Sequence, residues 1–198
     1  FILFFLSLYP FFVTRVMSQD PKFVRSAFSK IAPRYVLANH VLSLGIDVLW
    51  RKQVARIVRE LEPKRVLDLA TGTGDLALAI EKQCPEAEII AADFCPEMLE
   101  IAKKAGVKNT MIADGMDLPF ENENFDVVTI AYGLRNMESW LGAAREMNRV
   151  LKPGGSLIVL DFSLPKGPLR APYRAYLHHV LPKVCLLYTS DAADETCR

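Results

Sequence analysis

The residues able to do chemistry in this chain gather around Gly72 and Gly74, one residue apart, with Asp68 before them and Asp75 after. Two glycines in such a turn release the backbone into angles closed to other residues and let a ligand lie against the main chain. By spacing, Gly72-Thr73-Gly74-Asp75-Leu76-Ala77 fits the dinucleotide fingerprint, so glycines alone leave a nicotinamide dinucleotide and S-adenosylmethionine equally open. Charge separates the two. A pyrophosphate is drawn to a helix N-terminus by bare N–H groups and the helix dipole. Here two carboxylates flank the turn, and like charges about 4 Å apart repel by roughly 1 kcal/mol in water and about 4 kcal/mol near a protein surface. The same carboxylates suit a ligand with an ammonium, a sulfonium and no phosphate. The plainer alternatives are that Asp75 caps a helix and Asp68 merely ends a strand.

Further candidates follow along the chain. Asp93, 19 residues beyond Gly74, stands where an acid can accept both ribose hydroxyls, or where it caps the helix opened by Pro96. Asp114-Gly115 offers a carboxylate to an adenine amino group and a glycine against which a ring lies flat, although Asp-Gly is also a common turn. Ala131-Tyr132-Gly133-Leu134-Arg135-Asn136 puts an aromatic ring, a glycine, a fixed cation and an amide in one loop, facing a second substrate. Its plain alternative is a loop whose arginine pairs with an acid.

These residues need a scaffold, and the hydrophobic pattern supplies one. Apolar runs at 65–69, 88–92, 110–113, 125–131 and 156–161 read as strands, and each chemical candidate sits at the carboxyl end of one of the first four. Helical periods over 75–84, 97–104 and 139–150 alternate with them, the last with Trp140, Ala143, Met147 and Val150 on one stripe. Strands separated by helices imply an α/β fold, with a parallel sheet covered on both faces and ligands bound beyond the carboxyl strand ends. Before the first strand, residues 24–59 show helical spacing broken at Pro33 and Gly45. A last helix over 51–61 ends at Pro63, with Ile46, Leu49 and Trp50 on an apolar face of the segment before it. This segment reads as a helical lid over the site.

Composition narrows the class. With 198 residues, half of them hydrophobic and a net charge of +1, the chain matches one globular domain and carries no electrostatic footprint for nucleic acid. Cys84, Cys95, Cys185 and Cys197 lie far apart, which argues against a metal centre or a disulfide framework and suits free thiols in a reducing cytoplasm. Residues 1–16 are nearly all apolar, interrupted by Pro10. They read as an upstream stretch outside the working domain of 17–184, the rival being a membrane-contacting segment. Residues 185–198 continue no period and read as a foreign tail.

The chain resembles the UbiE-type C-methyltransferases of menaquinone and ubiquinone biosynthesis over residues 23–184. The likeness rests on Asn39-His40-Val41-Leu42-Ser43-Leu44-Gly45-Ile46-Asp47, on the glycine turn after Leu67-Asp68-Leu69, and on Ala92-Asp93. It continues through Leu118-Pro119-Phe120, Tyr132-Gly133-Leu134-Arg135-Asn136 and Arg149-Val150-Leu151-Lys152-Pro153-Gly154-Gly155. The Asn39–Asp47 wording leans toward the menaquinone branch. The resemblance implies a Rossmann-like class I fold in which Asp68, Gly72, Thr73, Gly74, Asp93, Asp114 and Gly115 surround S-adenosylmethionine. Ala131, where some members carry serine, would contribute its backbone. It implies Arg135 and Asn136 beside the ring of a polyprenyl quinol, with Tyr35 and Asn39 from the lid. A cytoplasmic protein in peripheral contact with the inner membrane face follows, since the substrate is bilayer-borne; Leu42, Leu44, Leu49 and Trp50, or Leu177, Val180 and Leu181, would give apolar access.

The reaction implied is methyl transfer to a ring carbon, with Arg135 stabilising the quinolate and Asn136 orienting the water that takes the proton. One of His178 and His179 is the rival base. The family chain adds a strand hairpin after residue 184 that has no sequence here, which would leave the strand at 156–161 as an apolar edge. Two other readings stay open at this point: an NAD(P)-dependent oxidoreductase, and a truncated, non-catalytic fragment that binds S-adenosylmethionine.

Overall fold

The structure, a computed structural model, describes residues 2–5 and 45–161. Six strands form one parallel sheet: β1 (Ile2–Phe5), β2 (Arg65–Leu69), β3 (Glu88–Asp93), β4 (Thr110–Ile112), β5 (Phe125–Ala131) and β6 (Leu151–Asp161). Their order is β1-β6-β5-β2-β3-β4. Among the described residues four α-helices accompany them: α1 (Ile46–Glu60), α2 (Asp75–Gln83), α3 (Pro96–Ala105) and α4 (Trp140–Val150). From β2 the chain steps outward through β3 to β4, then crosses back to lay β5 on the other side of β2. The strand order therefore reverses between β2 and β5, and this is where an open α/β sheet forms its ligand crevice. The α/β reading, the parallel sheet and the five central strands are as the hydrophobic pattern required.

The packing explains the strand sequences. One face of the sheet presents Leu67, Leu69, Ile90, Val128 and Ile130, which are buried together with Ala143, Met147 and Val150 of α4. Because side chains alternate, Val66, Asp68, Val127 and Thr129 belong to the opposite face. α4 starts at a capping serine, whose Oγ accepts the Gly142 N–H at 3.1 Å. α3 opens with Pro96 in its first turn and closes at Gly106, which takes a left-handed φ of +106°. Cys84 and Cys95 are free and buried.

Five details differ from the sequence reading. α1 is one helix from Ile46, where a break and a start at residue 51 were expected. Its inward face there is polar: Asp47 and Arg51 are buried while Ile46 and Leu49 are exposed, the reverse of the apolar face expected. Trp140 does not share the burial of its stripe, because the first turn of α4 lies at the carboxyl end of the sheet, past the core that covers Ala143 and Met147. β6 begins at Leu151 instead of residue 156, since the Pro153-Gly154-Gly155 turn is a bulge within the pairing with β5. The outer edge of β6, expected to stand open, is paired with β1 from Ile2↔Ile158 to Phe5↔Asp161. Tyr35, Asn39, Leu42, Leu44, Leu177, His178, His179, Val180 and Leu181 lie outside the described residues, as do most of the expected lid and all of residues 162–198.

Candidate functional site

The carboxyl ends of β2 and β5 meet at the switch point, and both strands end on a strained residue. Ala70 has φ +52° and Tyr132 has φ +58°, a region that side chains rarely enter outside sites that require it. The two turns pass so closely that a Cβ added to Gly133 would stand 2.4 Å from the Cβ of Ala70. Glycine is therefore demanded at 133 by the approach of one strand end to the other.

The loop after β2 is fixed by hydrogen bonds to its neighbours. Thr71 N–H donates to the Ala92 carbonyl at 3.0 Å, and Gly74 N–H to the Thr71 carbonyl at 3.0 Å. Gly72 and Gly74 have φ of +57° and +83°. Gly74 is also the residue before the first turn of α2, and no side chain caps that helix. Asp75 is thus not a capping residue; its carboxylate instead accepts the Thr73 hydroxyl at 2.7 Å. A Cβ at Gly74 would meet Val107 Cγ2 at 2.5 Å and Ala102 Cβ at 2.9 Å, so α3 backs the turn.

Asp68 lies beneath this loop with 1 % of its surface exposed. It pairs across the sheet with Thr129, whose hydroxyl donates to Asp68 Oδ1 at 2.6 Å, and the Thr71 hydroxyl donates to Oδ2 at 2.6 Å. Burial raises its pKa from 3.8 to about 6 even though both hydroxyls and the charge of Arg51 pull the other way. Asp93, at the end of β3, grips the loop from the side. Its Oδ2 accepts Gly72 N–H at 2.7 Å and its Oδ1 accepts Cys95 N–H at 2.8 Å, so one carboxylate ties the glycine loop to the start of α3. Burial raises its pKa as well, against the pull of those N–H groups. The Phe94 N–H acts on the same carboxylate, which leaves only part of its acceptor capacity for ribose hydroxyls.

Beyond β4, Asp114 Oδ1 accepts Met116 N–H at 2.9 Å and its carbonyl accepts Asp117 N–H at 3.1 Å, a turn that engages one of its two carboxylate oxygens. Gly115 beside it is buried, and the thioether of Met137 stands where its Cβ would be, with Sδ 2.9 Å away. The short 3-10 turn Leu134–Asn136 carries Arg135, whose Nη1 donates to Asp161 Oδ1 at the end of β6 at 2.6 Å. Asn136 N–H closes the turn on the Gly133 carbonyl at 3.0 Å.

The structure thus brings Asp68, Gly72, Thr73, Gly74, Asp93 and the Ala131–Asn136 loop to one end of the sheet. It adds Thr129, Asp161 and Arg51, which sequence reasoning did not single out. Thr129 had a signal, being the lone polar side chain in the apolar run Val127–Ala131. Asp161 had the signal of an acid at a carboxyl strand end, which was followed only through the first four strands; Arg51 had none, since it sits four residues after an acid on a helix, the usual mark of a surface pair.

The groups around the glycine loop fit S-adenosylmethionine better than a dinucleotide. Three carboxylates, Asp68, Asp75 and Asp93, surround the turn, and each is engaged by hydroxyls or backbone N–H groups, with no lysine or arginine bonded to any of them among the described residues. The sequence pattern of the ubiE/COQ5 methyltransferase family matches residues 15–195. The chain belongs to that family. It is 49% identical over 161 residues to the demethylmenaquinone methyltransferase of Thermus thermophilus, covering 78% of this chain and 73% of that one. To the demethylmenaquinone methyltransferase of Deinococcus radiodurans it is 44% identical, over 87% of this chain and 74% of the relative. Among solved structures, a SAM-dependent methyltransferase from Thermotoga maritima superposes with a TM-score of 0.61 at 24% identity, covering 81% of this chain and 72% of that one, a likeness of fold. This member of the ubiE/COQ5 family is accordingly a class I methyltransferase that uses S-adenosylmethionine, and the oxidoreductase reading is not favoured. Among its described residues no helix is long and apolar enough to cross a membrane.

Proposed function

We propose that this chain transfers the methyl group of S-adenosylmethionine to a ring carbon of demethylmenaquinol, with the closely related polyprenyl benzoquinol as the alternative acceptor. One observation carries the reading. An acid-walled glycine loop follows β2, and the loop of the fixed cation Arg135 follows its neighbour β5, in a chain 49% identical to a demethylmenaquinone methyltransferase. When bound, S-adenosylmethionine supplies an electrophilic methyl on a sulfonium. Thr73, Asp93 and the backbone of Gly72, Gly74, Gly115 and Ala131 hold it, Asp68 supports the loop from below, and Asp114 reaches the adenine edge.

The ring carbon becomes nucleophilic when a quinol hydroxyl loses its proton. Arg135 is permanently charged and cannot take that proton; it stabilises the oxyanion left behind. Asp161 holds the guanidinium in place. Asn136 orients the water that carries the proton away, and Tyr35, outside the described residues, is the further ring contact that the family resemblance implies. Holding carbon, methyl and sulfur in line is where most of the rate comes from, since orientation is worth roughly 7–11 kcal/mol. Trp140 and Leu141, 58 % and 63 % exposed just after the Arg135 loop, support an apolar rim for the prenyl chain and peripheral contact with the membrane surface.

The test is Arg135→Ala assayed for radiolabelled methyl transfer to a short-chain demethylmenaquinol, beside calorimetric binding of S-adenosylmethionine. Turnover should fall by at least a hundredfold with the cofactor Kd within threefold of wild type. Equal loss of both would remove Arg135 from the quinol site. Binding of NAD in place of S-adenosylmethionine would overturn the function.

A further inference from the structure

Arg51 is the one basic residue buried among the described residues, 8 % exposed, and the loop chemistry above gives it no task. It comes from α1, ahead of the sheet, and its Nη1 bonds Asp47 Oδ2 at 2.5 Å on the same helix. Asp47 itself has no exposed surface. An ion pair this deep is a poor stabiliser: removing two charges from water costs several kcal/mol per ion, and an apolar pair of the same size does as well or better. The guanidinium carbon lies 5.6 Å from the centre of the Tyr132 ring, on the strained turn leading to Arg135. Its charge also reaches Asp68 under the glycine loop, where it lowers that carboxyl's proton affinity. Arg51 therefore stands between the two halves of the site, touching one and felt by the other.

S-adenosylmethionine carries three charges near this loop. Its sulfonium and ammonium are matched by the acids; its carboxylate is opposed by them. A carboxylate entering beside Asp68, Asp75 and Asp93 needs a cation, and Arg135, held by Asp161, is the group assigned above to the quinol oxyanion. Arg51 uses Nη1 for Asp47, while its Nε and Nη2 hydrogen-bond to nothing among the described residues. That leaves a planar donor edge of the kind that binds a carboxylate through two N–H groups.

We infer that Arg51 is a cofactor-binding residue that receives the methionyl carboxylate of S-adenosylmethionine, an inference that rests on the function proposed above. It gives the buried Asp47–Arg51 pair a purpose: Asp47 holds the guanidinium in orientation, and the Tyr132 ring supports its face.

The experiment titrates the full chain calorimetrically with S-adenosylmethionine and with decarboxylated S-adenosylmethionine, which keeps the adenosyl, sulfonium and amine groups and lacks only the carboxylate. Wild type should prefer the carboxylated compound about 10- to 100-fold, the range expected for hydrogen bonds to a charged group. In Arg51→Gln the preference should fall below threefold, with affinity for the decarboxylated compound unchanged. Because that variant leaves Asp47 buried without its counter-ion, the double variant Asp47→Asn/Arg51→Gln is titrated in parallel, and Arg51→Lys should show an intermediate preference. An unchanged ratio in the variants, or equal affinity of wild type for the two compounds, overturns the inference alone. Failure of wild type to bind either compound overturns the proposed function and this inference with it.

Discussion

Asp68 makes the acid wall measurable in the protein without ligand. Its carboxylate is 1 % exposed, accepts two hydroxyls at 2.6 Å, and still has its pKa raised from 3.8 to about 6 by burial. Between those two values the folded protein binds more protons at this site than the unfolded chain does. Stability therefore falls as pH rises from about 4 to about 6, and the full cost of the buried charge persists above that window. Raising one carboxyl from 3.8 to about 6 is worth about 3 kcal/mol. Asp68→Asn keeps the shape, still accepts the Thr129 hydroxyl and abolishes the titration. Urea unfolding of both proteins without ligand, at pH 4 through 8, should show the stability of the variant relative to wild type growing by about 3 kcal/mol across pH 4 to 6.5 and flat beyond. The same substitution should weaken binding of S-adenosylmethionine, because the charge that burdens the empty fold is the one the cationic ligand uses. A stability difference constant with pH to within about 0.5 kcal/mol would mean that Asp68 titrates like a solvated carboxyl, and the electrostatic argument for the cofactor would fail.

Two further outcomes follow from the same geometry. Thr129→Val removes the 2.6 Å donor to Asp68 Oδ1 without changing side-chain size; it should cost about 2–3 kcal/mol at pH 7.5 and about 1 kcal/mol at pH 4 or in the Asp68→Asn background, where only a neutral acceptor remains, a cycle read by urea unfolding. Gly74→Ala places a Cβ 2.5 Å from Val107 Cγ2 on a residue with φ +83°; it should lower stability by about 1–3 kcal/mol and raise the cofactor Kd at least tenfold, and a wild-type melting temperature would show that the turn is not fixed from behind by α3.

The order of strands and helices, the glycine turn and the acids at strand ends could be read from the chain because each depends on local pattern. A buried parallel strand is a short apolar run whatever lies beside it, and a turn with left-handed φ calls for glycine wherever it occurs. The family was legible for a similar reason: Tyr132-Gly133-Leu134-Arg135-Asn136 is one unbroken stretch. What the tertiary structure decided was which groups face each other across the sheet. Asp68 meets Thr129 only because β2 and β5 pair in one register, 61 residues apart in sequence. Asp161 reaches Arg135 because β6 ends level with β5. The inversion at the start of α1, with Asp47 and Arg51 inside and Ile46 and Leu49 outside, defeats the rule that apolar residues mark the buried face, which Val54, Ala55 and Val58 obey farther along the same helix. Hydrophobic period reports burial of the ordinary kind, whereas a charge is carried inward only where a partner awaits it. Here that partner combines Asp47 on the same helix with the ring of Tyr132, a turn 81 residues farther along the chain.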